Sequence, residues 1–210
     1  MIEYELKVPL HYGEYNDLLK YLAKNVKAIT QINYYYDDDK LSMNKQGITC
    51  RIREKNGKYT ATIKDHISHN SKYSIENEKD ISNEKDDIFF KNMGLKFQGS
   101  LTTERTVIYS DQYMQAVVDK NTYLGITDYE LEVEYIPGFE EHATFMLRRF
   151  GEILHSHNEQ YEVMSFFERT NTAINKSRRF FERKMLVNDT GRESFRKATK
   201  KIYNRFIETH

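Results

Sequence analysis

Glu3, Glu5 and Lys7 stand two residues apart near the start of the chain. In an extended strand, residues at this spacing share one face, and Ile2, Tyr4 and Leu6 take the other. Two carboxylates are hard oxygen donors for a divalent ion, and an ammonium beside them attracts phosphoryl oxygen. The trio is therefore suited to holding a cation and a phosphate side by side.

The same alternation returns along the chain. Thr49-Cys50-Arg51-Ile52-Arg53 sets two arginines against Cys50 and Ile52. Asn56-Gly57 follows, a two-residue hairpin signal because both positions tolerate positive φ. The return run places Lys58, Thr60, Thr62 and Lys64 on one face and Tyr59, Ala61 and Ile63 on the other. Glu76 and Glu78 repeat the carboxylate spacing beside Ile75, and Arg105 lies in a strand-like run from Leu101 to Ile108. Met114, Ala116 and Val118 alternate with Gln115, Val117 and Asp119, and Tyr129 to Tyr135 sets Glu130, Glu132 and Glu134 against an apolar stripe.

These faces carry both signs, while the apolar faces need a cover. A sheet curled so that its charges point inward, with helices packed outside, satisfies both needs. Charges taken from water demand partners or ligands, so a polar interior implies binding. Helical spacing predicts covering helices over 14–25, over 83–93 (stopped by Gly94), over 138–154 with Phe139, Ala143, Met146, Leu147 and Phe150 on one side, over 163–170 and over 176–186. Asn188-Asp189-Thr190-Gly191 reads as a break, with Thr190 and Glu193 as a capping box for a last helix bearing Phe195, Ala198, Ile202 and Phe206.

Taken together, Glu3-x-Glu5-x-Lys7, Arg51-x-Arg53, Lys64 after the hairpin, the acidic strand Glu130, Glu132 and Glu134, the stretches 33–37 and 123–130, and a late Lys176-x-x-Arg179 resemble the CYTH domain, or triphosphate tunnel metalloenzymes, in its bacterial branch. The resemblance spans 1–183 and leaves 184–210 as a basic helical extension. It implies an α+β fold: an eight-stranded antiparallel β-barrel, or tunnel, with helices outside and a C-terminal helical extension. It further implies a metal-dependent triphosphatase acting on a triphosphate-containing small molecule, inorganic triphosphate first. An adenylate cyclase acting on ATP and a non-catalytic polyphosphate or nucleotide sensor are the alternatives. The phosphate contacts would be Lys7, Arg51, Arg53, Lys64, Arg105, Lys176 and Arg179. Mg²⁺ or Mn²⁺ would lie on Glu3, Glu5, Glu130, Glu132 and Glu134, with Glu78 and Asp119 for a second ion. Lys64 with Tyr35 would polarise the nucleophile. Two departures from the family pattern stand out: Tyr73 and Ser74 replace an arginine near Glu76, and Arg105 is the lone base of its strand.

The 210 residues hold 32 Lys+Arg and 32 Asp+Glu, a formal net charge of zero that argues against a general nucleic-acid binder. The balance hides an asymmetry, because bases outnumber acids from Lys176 onward. The basic, apolar-striped tail reads as a helix docked on the barrel, with pairing of two copies as a homodimer the next reading. No apolar run is long enough to span a membrane, and no signal peptide is evident. The single cysteine, Cys50, excludes an internal disulfide, is expected to face outward beneath a helix, and fits a reducing cytoplasm.

Overall fold

The computed structural model describes residues 2–66, 73–83 and 87–190. Among them, eight strands form a closed barrel: β1 (Ile2–Leu10), β2 (Ile29–Asp37), β3 (Ile48–Lys55), β4 (Lys58–Asp65), β5 (Tyr73–Ile81), β6 (Lys96–Ser110), β7 (Met114–Tyr123) and β8 (Ile126–Tyr135). The order around the barrel is β1-β5-β4-β3-β2-β6-β7-β8, and every neighbouring pair is antiparallel. Closure through β1, which pairs with both β5 and β8, leaves no open edge. The β3–β4 turn is the expected tight hairpin, with Asn56 and Gly57 at φ 53° and 72° and Lys55 opposite Lys58.

Helices cover the apolar faces: α1 (Tyr12–Leu22), the short α2 (Ser42–Lys45), α3 (Ile88–Asn92), α4 (Glu140–His157) and α5 (Val163–Glu168), which runs into a 3₁₀ turn at Arg169–Thr172. One buried cluster joins Leu6, Val8 and Leu10 of β1, Ala116 and Val118 of β7 and Leu131 and Val133 of β8 to Leu18 of α1, Leu147 and Phe150 of α4 and Phe166 of α5. Burial of such side chains contributes about 1.5–3 kcal/mol each. A smaller cluster places Cys50 and Ile52 under Phe90 of α3, so the cysteine does sit outward beneath a helix. Arg169 pins these layers, donating to Glu14 at 2.5 and 2.9 Å and to the Pro9 carbonyl at 2.7 Å.

Two expected helices differ. α1 begins at Tyr12 because the Glu14 carboxylate accepts from the His11 backbone N–H at 2.8 Å and so completes the first turn. The helix expected over 83–93 is confined to Ile88–Asn92; Ser82 and Asn83 lie in a bend, as suits side chains that compete with helical backbone bonds. It does stop at Gly94, whose φ is 76°.

Among the described residues, those from Asn175 to Thr190 belong to a second compact unit. Its helix, α6, runs unbroken over 176–190. The break expected at 188–191 is therefore absent through residue 190, and Thr190 is no N-cap. Its hydroxyl donates back to the Leu186 carbonyl at 2.8 Å, as helix-interior threonines do. Glu193 and the last predicted helix lie outside the described residues. Among the described residues, no helix is long and apolar enough to cross a membrane.

Candidate active site

Helices take the outward faces of β1, β7 and β8 and part of β3, and the charged faces turn inward. The ion pairs bear this out by joining strands that are not neighbours. Lys64 of β4 reaches across β5 to Glu3 of β1 at 2.5 Å and approaches Glu5 at 3.8 Å. Arg51 of β3 reaches across β4 to Glu76 of β5 at 2.6 Å. Arg105 of β6 reaches across β7 to Glu132 and, at 3.0 Å, Glu134 of β8. Lys7 lies 3.0 Å from Glu5 and 3.4 Å from Glu132.

The interior is divided by sign. On the basic side, Arg51 and Arg53 project from β3, and Tyr35, 1 % exposed, stands opposite Arg51 in register on β2. On the acidic side, Asp119, Glu130 and Glu132 are buried, and each offers an oxygen within 4.8 Å of the others. Arg105 grips this side, with Nε and Nη2 on the two Asp119 oxygens at 2.9 and 2.7 Å. Asn121, fully buried, donates to Glu130 and Asp128 at 3.0 Å and accepts from Thr103 at 2.7 Å, which fixes the orientation of Glu130.

The electrostatics follow from burial among mixed charges. Burial pushes the Glu5 carboxyl up, but Lys7 and Lys64 together hold it below its usual value. Glu76 is raised by burial and brought lower still by Arg51 and Lys64. Glu134 ends above its usual value, because burial and the neighbouring Glu132, Glu5 and Glu3 outweigh Arg105. Burial and the nearby Arg51 and Arg105 push Arg53 down to about 10, so it remains cationic at neutral pH. Burial works against the charge on Arg105, yet Glu132 and Asp119 hold it well above its ordinary value.

Two donors on the basic side are under-used. The buried Arg51 Nε has no hydrogen-bond partner. Arg53 donates to Asn33 at 3.1 Å and, among the described residues, pairs with no carboxylate. An unmet buried donor is unfavourable by about 1–3 kcal/mol, a deficit that an anionic ligand would relieve. On the acidic side, three carboxylates within reach of one another are a hard-oxygen donor set, and such a set fits Mg²⁺ or Mn²⁺.

Of the residues expected at the site, Glu3, Glu5, Lys7, Tyr35, Arg51, Arg53, Lys64, Arg105, Asp119, Glu130, Glu132 and Glu134 lie on this inner face, with the Glu3 side chain 41 % exposed. Glu78 does not join the acidic group. It is exposed and accepts from Thr62 at 3.4 Å, whereas Glu76, one step deeper on the same face, is the buried β5 carboxylate. Lys176 and Arg179 lie on α6 in the second unit. Sequence reasoning overlooked Asn33, Asn121 and His66. Extending the two-residue alternation from Arg53's partner strand, from Asp119 and from Lys64 would have found them. His66 is pushed down to about 4 by burial and by Lys64 and Lys7, so its imidazole is neutral.

A family model for the CYTH domain matches residues 1–161. The chain belongs to the CYTH domain family. The Bacillus subtilis (strain 168) protein named "Putative triphosphatase YjbK" is 25 % identical to this CYTH protein over 190 residues, covering 82 % of this chain and 98 % of its own. A solved structure from Bacillus halodurans, described as a "putative adenylate cyclase", is 28 % identical, covers 85 % of this chain and 97 % of its own, and superposes with a TM-score of 0.58. The Hippeastrum protein HpAC1, described as a "putative adenylyl cyclase" with a dominant triphosphatase activity, has the same TM-score at 19 % identity, over 72 % of this chain and 87 % of its own. At that identity it speaks for the shared fold.

Proposed function

We propose that this CYTH protein is a metal-dependent triphosphatase that hydrolyses inorganic triphosphate inside its barrel. One observation supports the reading above all: guanidinium donors without anionic partners, Arg51 Nε and Arg53, share one interior with a buried carboxylate trio, Asp119, Glu130 and Glu132. A ligand rich in anionic oxygen together with a hard cation answers both halves at once. The triphosphatase name of the Bacillus subtilis relative points the same way.

In this reading Arg51 and Arg53 fork onto phosphate oxygens in the bidentate manner that lysine cannot match. Lys7 and Lys64 add point charges between the two halves, and Asp119, Glu130 and Glu132 hold Mg²⁺ or Mn²⁺, with Glu134 and Glu5 beside them. When bound, such an ion supplies Lewis-acid polarisation of a phosphoryl oxygen and lowers the pKa of water. Lys64, with the Tyr35 phenol, orients the attacking water. Water oxygen bonds to the terminal phosphorus and the bridging P–O bond breaks; diphosphate departs with the electron pair and takes up the one water proton that the phosphate product does not keep. Positioning and charge neutralisation then provide most of the rate.

The test is phosphate release from inorganic triphosphate, thiamine triphosphate and ATP, each with Mg²⁺ and with Mn²⁺. Turnover highest on inorganic triphosphate and abolished by chelator is the expected result. The "putative adenylate cyclase" name of the Bacillus halodurans protein keeps one rival in view. Cyclic AMP from ATP would replace the hydrolase reading with a cyclase, and tight binding without any turnover would replace it with a sensor.

A further inference from the structure

Each nitrogen of the Arg105 guanidinium is committed to a carboxylate. Nε and Nη2 fork onto Asp119, Nη2 also bonds Glu132, and Nη1 bonds Glu134. Asp119 and Glu132 are two of the three residues whose oxygens gather within 4.8 Å. The guanidinium thus occupies, with one positive charge, the oxygens a divalent ion would take. Arg53 stands in contrast: it bonds Asn33 and lies close enough to Arg105 for the two like charges to oppose one another.

We propose that Arg105 is an exchange cation. In the ligand-free protein it holds the acidic side together. It yields Asp119 and Glu132 when a divalent ion takes their oxygens, and it then turns to the phosphate chain alongside Arg51 and Arg53. The proposal rests on the triphosphatase reading of the same interior and adds to it a coupling between metal and phosphate.

Asp119 is 0 % exposed and Glu132 4 %, so without a cation these carboxylates would repel one another in a poorly solvated space. With a divalent ion present, a guanidinium on the same oxygens would face a second cation at contact range, and the repulsion drives it off. Arg105 is anchored on β6 directly opposite Asp119, so its side chain remains inside after release. There it lies near Arg53, which also feels the charge of Arg51, whose Nε lacks an acceptor. A planar fork fits a carboxylate and a phosphate equally well, so the same side chain can serve both positions. Metal then favours phosphate binding, and phosphate, by capturing Arg105, favours metal to the same degree.

The test titrates Mn²⁺ alone into the full chain and into Arg105→Gln, followed by electron paramagnetic resonance of free Mn²⁺. It is then repeated with the non-hydrolysable imido analogue of inorganic triphosphate. Without phosphate, Arg105→Gln is expected to bind Mn²⁺ about tenfold more tightly than wild type, and at saturating Mn²⁺ to bind the analogue about tenfold more weakly. Mn²⁺ affinity equal to or below that of wild type overturns the exchange. Should Arg105→Gln not fold, Arg105→Met, which also removes the charge, carries the test: Mn²⁺ binding tighter than wild type supports the exchange, and equal or weaker binding overturns it. Tighter Mn²⁺ binding in the variant, with no phosphate release by wild type, leaves the exchange standing and removes the triphosphatase reading. Phosphate release by wild type with unchanged Mn²⁺ affinity in the variant does the reverse.

Discussion

Lys64 Nζ lies 2.5 Å from Glu3 Oε2, although 61 positions separate the two residues in the chain. β5 lies between their strands, so the pair forms through the barrel interior and not along its wall. Lys64 also stands 3.8 Å from both Glu5 and Glu76, and with 7 % of its surface exposed it is a central positive charge among carboxylates. Replacing it with glutamine keeps a polar side chain, one atom shorter, but leaves those carboxylates without their shared cation. Lys64→Gln is expected to lower kcat on inorganic triphosphate about 10²-fold and to destabilise the fold by about 1–3 kcal/mol. Phosphate release and urea titration read the two effects. A kcat within twofold of wild type would remove Lys64 from the reaction.

Glu132 touches both halves of the interior, at 3.4 Å from Lys7 and in contact with Arg105. Glu132→Gln preserves shape while removing one charge from the trio. Arg105 keeps Asp119 and Glu134, so the barrel is expected to stay folded. Mn²⁺ affinity should fall by at least about tenfold, the effect that loss of even an outer partner of a metal ligand produces. Calorimetric titration with Mn²⁺ alone decides it, and unchanged affinity would take Glu132 out of the metal site.

The ionic faces were legible because alternation in a strand has a period of two and depends on nothing beyond the strand itself. Glu130, Glu132 and Glu134 share a face whatever their neighbours are. β2 was harder to read, because Tyr34, Tyr35 and Tyr36 look alike in sequence while Tyr35 faces Arg51 and Tyr36 stacks on Phe90. Depth was also hidden: Glu76 and Glu78 have the same spacing as Glu3 and Glu5, but the barrel buries one and exposes the other. Partners were the least legible. Arg105 was expected on phosphate, but its carboxylate partners follow from β6 lying beside β7, and β7 beside β8, information about strand order that no single strand carries. Thr190 misled because threonine caps helices and also tolerates their interior by bonding back one turn, and only the continuing helix distinguishes the two.

Cys50 is 2 % exposed beneath α3, and burial together with Asp37 pushes its thiol up to about 12. Thiolate is the reactive form, so the native protein offers almost none. Folded protein is expected to resist a disulfide-exchange reagent at pH 8, and labelling should follow the urea unfolding curve. Rapid stoichiometric labelling without denaturant would show that α3 does not cover this strand in solution.

His66 provides a pH signature of its own. Its backbone N–H donates to the Gly47 carbonyl at 3.1 Å, and its imidazole is pushed from 6.5 down to about 4 by burial and by Lys64 and Lys7. Between those two values the unfolded chain takes up a proton that the folded protein refuses. The stability His66 contributes is therefore complete above about pH 6.5 and is lost as pH falls toward 4, with about 2 kcal/mol going between pH 7 and 5. Glu5 and Glu76, held below their usual 4.5, add their own loss at still lower pH. Glu134, held above it, opposes the trend because the folded state protonates first. These carboxylate contributions persist in His66→Gln, so the difference between the two proteins isolates the imidazole. Urea midpoints at pH 7 and 5 are expected to fall markedly for wild type and much less for His66→Gln. An equal fall in both would mean that His66 is solvated and titrates normally.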